Sequence, residues 1–291
     1  MRNWWILIQE RFSPVAYVPM ILVFSWANGL YLANAAHYTF ETSKYVLTAL
    51  LMLSFFFRMR CFDEIKDYDV DLKINPTRPL ARGILSVAQV KKGLFVMILF
   101  ELLLSAYLGF WPFVIHTIAI FYSLMMYEEF FVGDLLRPHL TTYAVTHTFV
   151  SVLLGISAAT AITGFNLQKL TFADACFFLM NWAFFNLFEF ARKTFAPSEE
   201  RPNVPSYSNI FKPLGAWLLS WSQVFVGIVL AYFALSNSSR FYWLAAAGVV
   251  YTLMTLGYAL KPQAKMAKIF RDVTGIYLLV HYVLLSLVIG A

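Results

Sequence analysis

The sequence predicts an all-α, polytopic membrane protein with nine transmembrane helices, folded as a single integral membrane domain over 1–291. Three observations lead there. Hydrophobic residues make up 60% of the chain and charged residues only 13%, where ordinary soluble proteins carry about 25% charge. So few charges cannot cover a water-exposed surface, which excludes a soluble globule and a disordered chain. Nine stretches match or approach the roughly 20 apolar residues that cross a hydrocarbon core. The remaining charges fall almost entirely on one side of those nine spans.

The N-terminal segment to Arg11, with Trp4 and Trp5 between charged flanks, predicts an interfacial helix. No small-residue cleavage site follows it, so a cleaved signal peptide is not expected. The spans are expected at 14–34, 45–62, 87–110, 112–127, 140–163, 172–191, 213–236, 240–260 and 271–291. Gly109 and Pro112 close the third and fourth into a tight hairpin. Cys61 and Cys176 sit far apart in apolar segments and read as reduced small hydrophobes.

With nine spans, odd starts and even ends share one membrane face, here face A. Of the 22 lysines and arginines, all but Lys44, Lys169 and Arg240 fall on it. The positive-inside rule makes face A cytoplasmic. Topology explains these cations but not the acids, which contribute little to orientation. Of the 16 acids, all but Glu41, Asp174 and the mid-span Glu101 are also on face A.

The densest acids are Asp63, Glu64, Asp67, Asp69 and Asp71, at the end of the second span. Asp63, Asp67 and Asp71 recur at i, i+4 and i+8, which on a helix makes one stripe drifting about 40° per step. Like charges at that spacing repel, so cations must hold them. Oxygen ligands without His or Cys point to Mg²⁺, which is commonly shared with substrate phosphates. Lys73, Arg78 and Arg82 follow in a loop stiffened by Pro76 and Pro79. Arginine forks match phosphate oxygens. Together these residues describe a diphosphate site for a lipid-like substrate.

Asp63-Glu-x-x-Asp67-x-Asp-x-Asp71, then Asn75-Pro-Thr-Arg78-Pro79-Leu80 and Gly83, resembles the first aspartate-rich motif of the UbiA superfamily of intramembrane prenyltransferases. The family's leading Asn is Asp63 here. The resemblance implies a bundle with a central cavity open to the cytoplasmic side. It also implies two pseudo-repeated four-helix halves, roughly 14–127 and 140–260, plus a ninth helix. Mg²⁺ would be held by Asp63, Glu64, Asp67 and Asp71, and the diphosphate by Lys73, Arg78 and Arg82. A second acidic motif is expected after the sixth span, but its usual Asp-x-x-x-Asp is absent. Glu189 stands there with Arg192 and Lys193, followed by Glu199 and Glu200. In one reading Glu189 and Glu199 or Glu200 replace the missing ligands while Arg192 and Lys193 hold the diphosphate. In the other, Glu189 is simply paired with Lys193 on the helix surface.

The chemistry implied is ionisation of an isoprenyl diphosphate by Asp63, Asp67, Asp71 and Glu189 with Mg²⁺. Transfer to a hydrophobic aromatic or lipid acceptor gives a prenyltransferase. Capture by the chain's own double bonds gives a membrane terpene cyclase. Binding without chemistry gives a prenyl-lipid carrier. Glu128, Glu129, Asp134, Arg137 and His139 either line the cavity mouth or form an ordinary turn. The five histidines lack metal-ligand spacing, and the face-A cations form no nucleic-acid stripe. No sorting signal is recognised, so a bacterial inner membrane with cytoplasmic site loops is expected.

Overall fold

The computed structural model describes residues 2–202, 204–235, 238 and 241–290, all helix or loop. Arg240, one of the three cations assigned to the opposite face, lies outside the described residues, as do Met1 and Ala291. The helices run in order as α1 (Arg2–Arg11), α2 (Pro14–Ala35), α3 (Thr42–Lys66), α4 (Tyr68–Ile74), α5 (Val87–Leu108), α6 (Phe110–Tyr127), α7 (Gly133–Leu136), α8 (Leu140–Thr148), α9 (Val150–Thr163), α10 (Phe172–Arg192), α11 (Tyr207–Leu235), α12 (Tyr242–Leu260) and α13 (Ala264–Ile289).

Seven of these are long and apolar enough to cross a membrane, counting α8 with α9 as one. The expected nine included α5 and α10, which fall outside that count among the described residues. α5 carries Lys91, Lys92 and Glu101; α10 carries Asp174, Asn181, Asn186 and Glu189. These polar groups lower the apolarity of two otherwise long helices. The chain is an integral, multi-pass membrane protein by its seven apolar helices.

Local chemistry sets the breaks. Gly109 ends α5 at φ 138, a conformation open to glycine, and Pro112 sits in the first turn of α6. Ser86 and Thr171 begin α5 and α10 with reciprocal capping boxes. Between α8 and α9, the side chains of Thr146, His147 and Thr148 each turn back onto the carbonyl four residues earlier. Such back-bonding competes with the helix ladder, and the helix breaks at Phe149. Lys212, at φ 63, kinks α11 immediately before Pro213, because a proline disfavours the α conformation in the residue before it.

α9 is the central helix, with 12 of its 14 residues buried. Its Ala, Gly and Ser side chains let α2, α6 and α10 approach closely. Polar ties fix the layers. Asn181 of α10 donates to Asn28 of α2 at 2.9 Å, and Tyr282 of α13 donates to Asn181 at 2.8 Å. Helix ends are tied at both faces. On face A, Tyr258 reaches the Phe195 carbonyl and Tyr207 the Leu140 carbonyl. At the other face, Asn34 reaches the Ile289 carbonyl and Glu41 the Ile162 carbonyl.

Candidate active site

At face A the ends of α3, α6, α8 and α10 enclose a cavity of about 530 Å³. Phe55, Phe56, Phe62 and Phe185 give it an aromatic lining. α3 contributes Asp63, and Asp67 follows as its C-terminal cap. The backbone keeps its i to i+4 ladder through the acidic stripe, with Asp67 N–H on the Asp63 carbonyl at 2.9 Å and Asp71 N–H on the Asp67 carbonyl at 2.8 Å. The side chains nevertheless divide. Asp63 and Asp67 are 57% and 55% exposed, with guanidinium contacts of only 3.3 Å (Arg60) and 3.6 Å (Arg78). Asp71 is 5% exposed and accepts from Arg78 at 2.5 Å and Asn75 at 2.9 Å. Its carboxylate therefore folds the following loop, which brings Arg78 to the cavity wall.

The other first-motif residues lie off the cavity. Glu64 is buried against Arg11 at 2.5 Å. Arg82 pairs with Glu10 at 2.5 Å and donates to the Thr77 carbonyl. Lys73 is exposed on α4 and makes no ion pair among the described residues.

α10 supplies the facing wall. Glu189, Arg192 and Lys193 all line the cavity, and both Glu189 oxygens are engaged, by Arg192 at 2.5 Å and Lys193 at 3.0 Å. Glu199 and Glu200 serve the loop instead. Arg271 of α13 forks onto Glu199 at 2.8 and 3.1 Å, and the Ala196 N–H adds a third bond. Those Arg271 bonds outweigh the opposing burial and hold the Glu199 carboxyl below the usual carboxylate range. Glu200 accepts from Ser206 and Ser208. Of the 12 residues the sequence singles out, the fold thus brings six to the cavity and five to its supports, and leaves Lys73 exposed on α4.

No family model matches the chain, and no curated protein matches it by sequence. Solved structures do. A digeranylgeranylglyceryl phosphate synthase superposes with TM-score 0.70 at 12% identity over 99% of each chain. A UbiA homologue from Aeropyrum pernix K1 gives 0.65 at 16% identity, over 94% of this chain and 97% of that one. A UbiA homologue from Archaeoglobus fulgidus, solved with GPP and Mg²⁺, gives 0.64 at 14% identity over 96% and 99%. The chain has the UbiA fold.

Within that fold the donor set limits what metal could bind. Among the described residues no three His, Cys, Asp or Glu side chains gather into a metal-binding cluster. Mg²⁺ seldom needs one, because it keeps waters and is completed by substrate phosphates around one or two carboxylates. Asp63 and Asp67, one helical turn apart and largely open, fit that pattern. Glu189 fits it poorly, since two cations already saturate it.

Sequence reasoning missed several lining residues of this UbiA-fold cavity: Arg11, Arg60, Lys66, Tyr143 and His147. Only face-A position marked the cations. It also left Glu101 without a partner and placed Arg58 among the face-A charges. Glu101 is buried in the bundle, as its mid-span position implies, and Arg58 is fully buried beside it, its Nε spanning the two Glu101 oxygens at 3.0 and 3.1 Å. Ser54 donates to Glu101, Arg58 donates to Ser123, and the guanidinium lies 4.4 Å over the cavity-lining Phe55 ring. A charge in the membrane interior is costly unless paired. Here the partner lies 43 positions away in the chain, beyond any local sequence pattern.

Proposed function

We propose that this chain is an intramembrane prenyltransferase of the UbiA superfamily, which ionises an isoprenyl diphosphate and transfers the prenyl group to an aromatic or lipid acceptor. The observation that carries this reading is one cavity in which open carboxylates, Asp63 and Asp67, oppose Arg192 and Lys193 above an aromatic lining. The A. fulgidus structure with GPP and Mg²⁺ supports it.

Asp63 and Asp67 would hold a single Mg²⁺, with Arg78, Arg192 and Lys193 meeting the diphosphate oxygens. Mg²⁺ bound there supplies Lewis-acid stabilisation of the leaving group. Arg192 and Lys193, positioned by Glu189, take the place of further metal. Phe55, Phe56, Phe62 and Phe185 keep water from the allylic cation and offer it their ring faces. The charge asymmetry supports a site facing the cytoplasm. We further take the domain as two pseudo-repeated halves, 14–127 and 140–260.

The test is purified protein with Mg²⁺ and prenyl diphosphates of several lengths, with and without acceptor. Mg²⁺-dependent diphosphate release and a prenylated acceptor are expected. Cyclic products formed without acceptor would replace transfer by cyclisation. Binding without diphosphate release would reduce the protein to a prenyl-lipid carrier.

A further inference from the structure

A second cavity, of about 630 Å³, lies at the membrane face opposite face A, where the ends of α2, α10, α11 and α13 meet. It shares no residue with the cavity at face A. Its charged lining residues, among those described, are Asp174 and Lys169. Tyr38 and Phe165 add aromatic rings, edge-to-face with centroids 5.3 Å apart. Leu235, Val288 and Ile289 add an aliphatic side. The wall is held from within, because Asn34 of α2 bonds the Ile289 carbonyl of α13 across it at 3.1 Å.

Asp174 is the informative group. It sits in the first turn of α10 and is only 4% exposed. Its Oδ2 completes the capping box, accepting from the Thr171 N–H at 2.8 Å and the Thr171 hydroxyl at 2.7 Å. The cap uses that one oxygen. Oδ1 accepts no hydrogen bond, and no cation pairs with the carboxylate among the described residues. The buried Tyr31 hydroxyl faces the carboxylate without closing a hydrogen bond to it. The helix N-terminus offsets part of the negative charge. It leaves the second oxygen unspent, and a carboxylate this far from water ordinarily has a cation beside it.

Lys169 does not fill that place. It is exposed on the loop before α10 and makes no ion pair among the described residues. Two opposite charges therefore line one cavity and neither neutralises the other by contact. A purely anionic ligand would be repelled by Asp174, and a purely cationic one by Lys169. A ligand with both charges, a few bonds apart, satisfies both.

We propose that this cavity binds the headgroup of an aminophospholipid, a zwitterion that carries a primary ammonium beside a phosphate. The ammonium donates to Asp174 Oδ1 in a charge-assisted hydrogen bond, with Tyr31 backing the carboxylate and the Tyr38 ring beside it. The phosphate meets Lys169. The acyl chains leave along Leu235, Val288 and Ile289 into the bilayer, which favours a lipid over a free headgroup. The site asks nothing of the chemistry at face A.

The experiment is native mass spectrometry of the purified, delipidated chain in detergent. It is titrated with palmitoyl-oleoyl phosphatidylethanolamine, with the matching phosphatidylglycerol, and with soluble O-phosphoethanolamine. Phosphatidylethanolamine should bind about tenfold tighter than phosphatidylglycerol. In Asp174→Asn, which keeps an oxygen for the Thr171 cap, the affinity for phosphatidylethanolamine should fall about tenfold and the preference should vanish. Lys169→Ala should weaken both lipids about threefold. Tyr38→Leu should weaken phosphatidylethanolamine alone, also about threefold. Equal affinity for the two lipids in the wild type overturns the proposal, as does an unchanged preference in folded Asp174→Asn. O-phosphoethanolamine that binds as tightly as the lipid overturns the lipid assignment. If Asp174→Asn fails to fold, Tyr38→Leu decides, and an unchanged preference there overturns the proposal.

Discussion

The ends of α3 and α10 face each other across one cavity, and both combine acids with bases. They arrange them oppositely. On α3 the carboxylates of Asp63 and Asp67 stay more than half exposed, with guanidinium contacts no closer than 3.3 Å. On α10 the carboxylate of Glu189 is saturated by cations from its own chain segment, at i+3 and i+4. That order and spacing, acid before base, favours pairing along a helix. An open carboxylate can still take a ligand. A saturated one works as a counter-ion that holds two cations in place. The contrast teaches that acid count alone does not locate a metal site; the unspent oxygens do.

The largest expected effect tests the open side. Asp63→Asn and Asp67→Asn should each lower Mg²⁺-dependent diphosphate release roughly 100-fold or more, since a Lewis acid supplies several kcal/mol to the leaving group. Single-turnover kinetics against Mg²⁺ concentration measures it. Asp71→Asn should instead act on stability, because Asp71 is committed to Arg78 and Asn75. Equal kinetic losses in all three would dissolve the distinction within the stripe.

A smaller effect of opposite sign tests the saturated side. Glu189→Gln frees Arg192 and Lys193 for phosphate oxygens. The apparent affinity for the prenyl diphosphate should rise about tenfold, in line with one charge-assisted hydrogen bond. The Mg²⁺ requirement should not move. A raised Mg²⁺ requirement in this variant would make Glu189 a metal ligand and remove the contrast between the two helix ends.

Much of the fold was legible because membrane crossing leaves a plain signal in apolar length and charge placement. The helices of α5 and α10 were legible as elements, though their polar residues take them below the apolarity of the other seven. The stripe Asp63, Asp67, Asp71 was legible from helical period alone. Its split was not, because Asp71 turns inward only once Arg78 folds back seven residues later. Glu199 and Glu200 were drawn to the site by nearness in sequence to Glu189. In space they answer to Arg271, Ser206 and Ser208. The place of Lys66 and Tyr143 in the cavity lining stayed hidden for a similar reason. Lys66 meets Tyr143 across 77 positions, and neither carries a recognisable pattern alone.

The smallest effect asks whether the two ends are clasped alike. Behind α3 the clasp is Asp71–Arg78, and behind α10 it is Glu199–Arg271. Arg271 holds the Glu199 carboxyl below the usual carboxylate range in the folded protein. A depressed folded value means the clasp stabilises fully above the unfolded value of about 4.3 and is lost as pH falls through the folded value. Acidification through the lowered folded value should therefore release the Glu199 loop from α13, while at neutral pH the clasp is intact. Glu199→Gln removes its charge at every pH and should lower stability by about 1 kcal/mol at pH 7, the scale of a partly exposed ion pair. Its Tm should converge with that of the wild type as the pH drops. Equal Tm values for variant and wild type at neutral pH would mean that Glu200, through Ser206 and Ser208, holds the loop unaided. The two ends would then differ in their supports as well as in their exposed carboxylates.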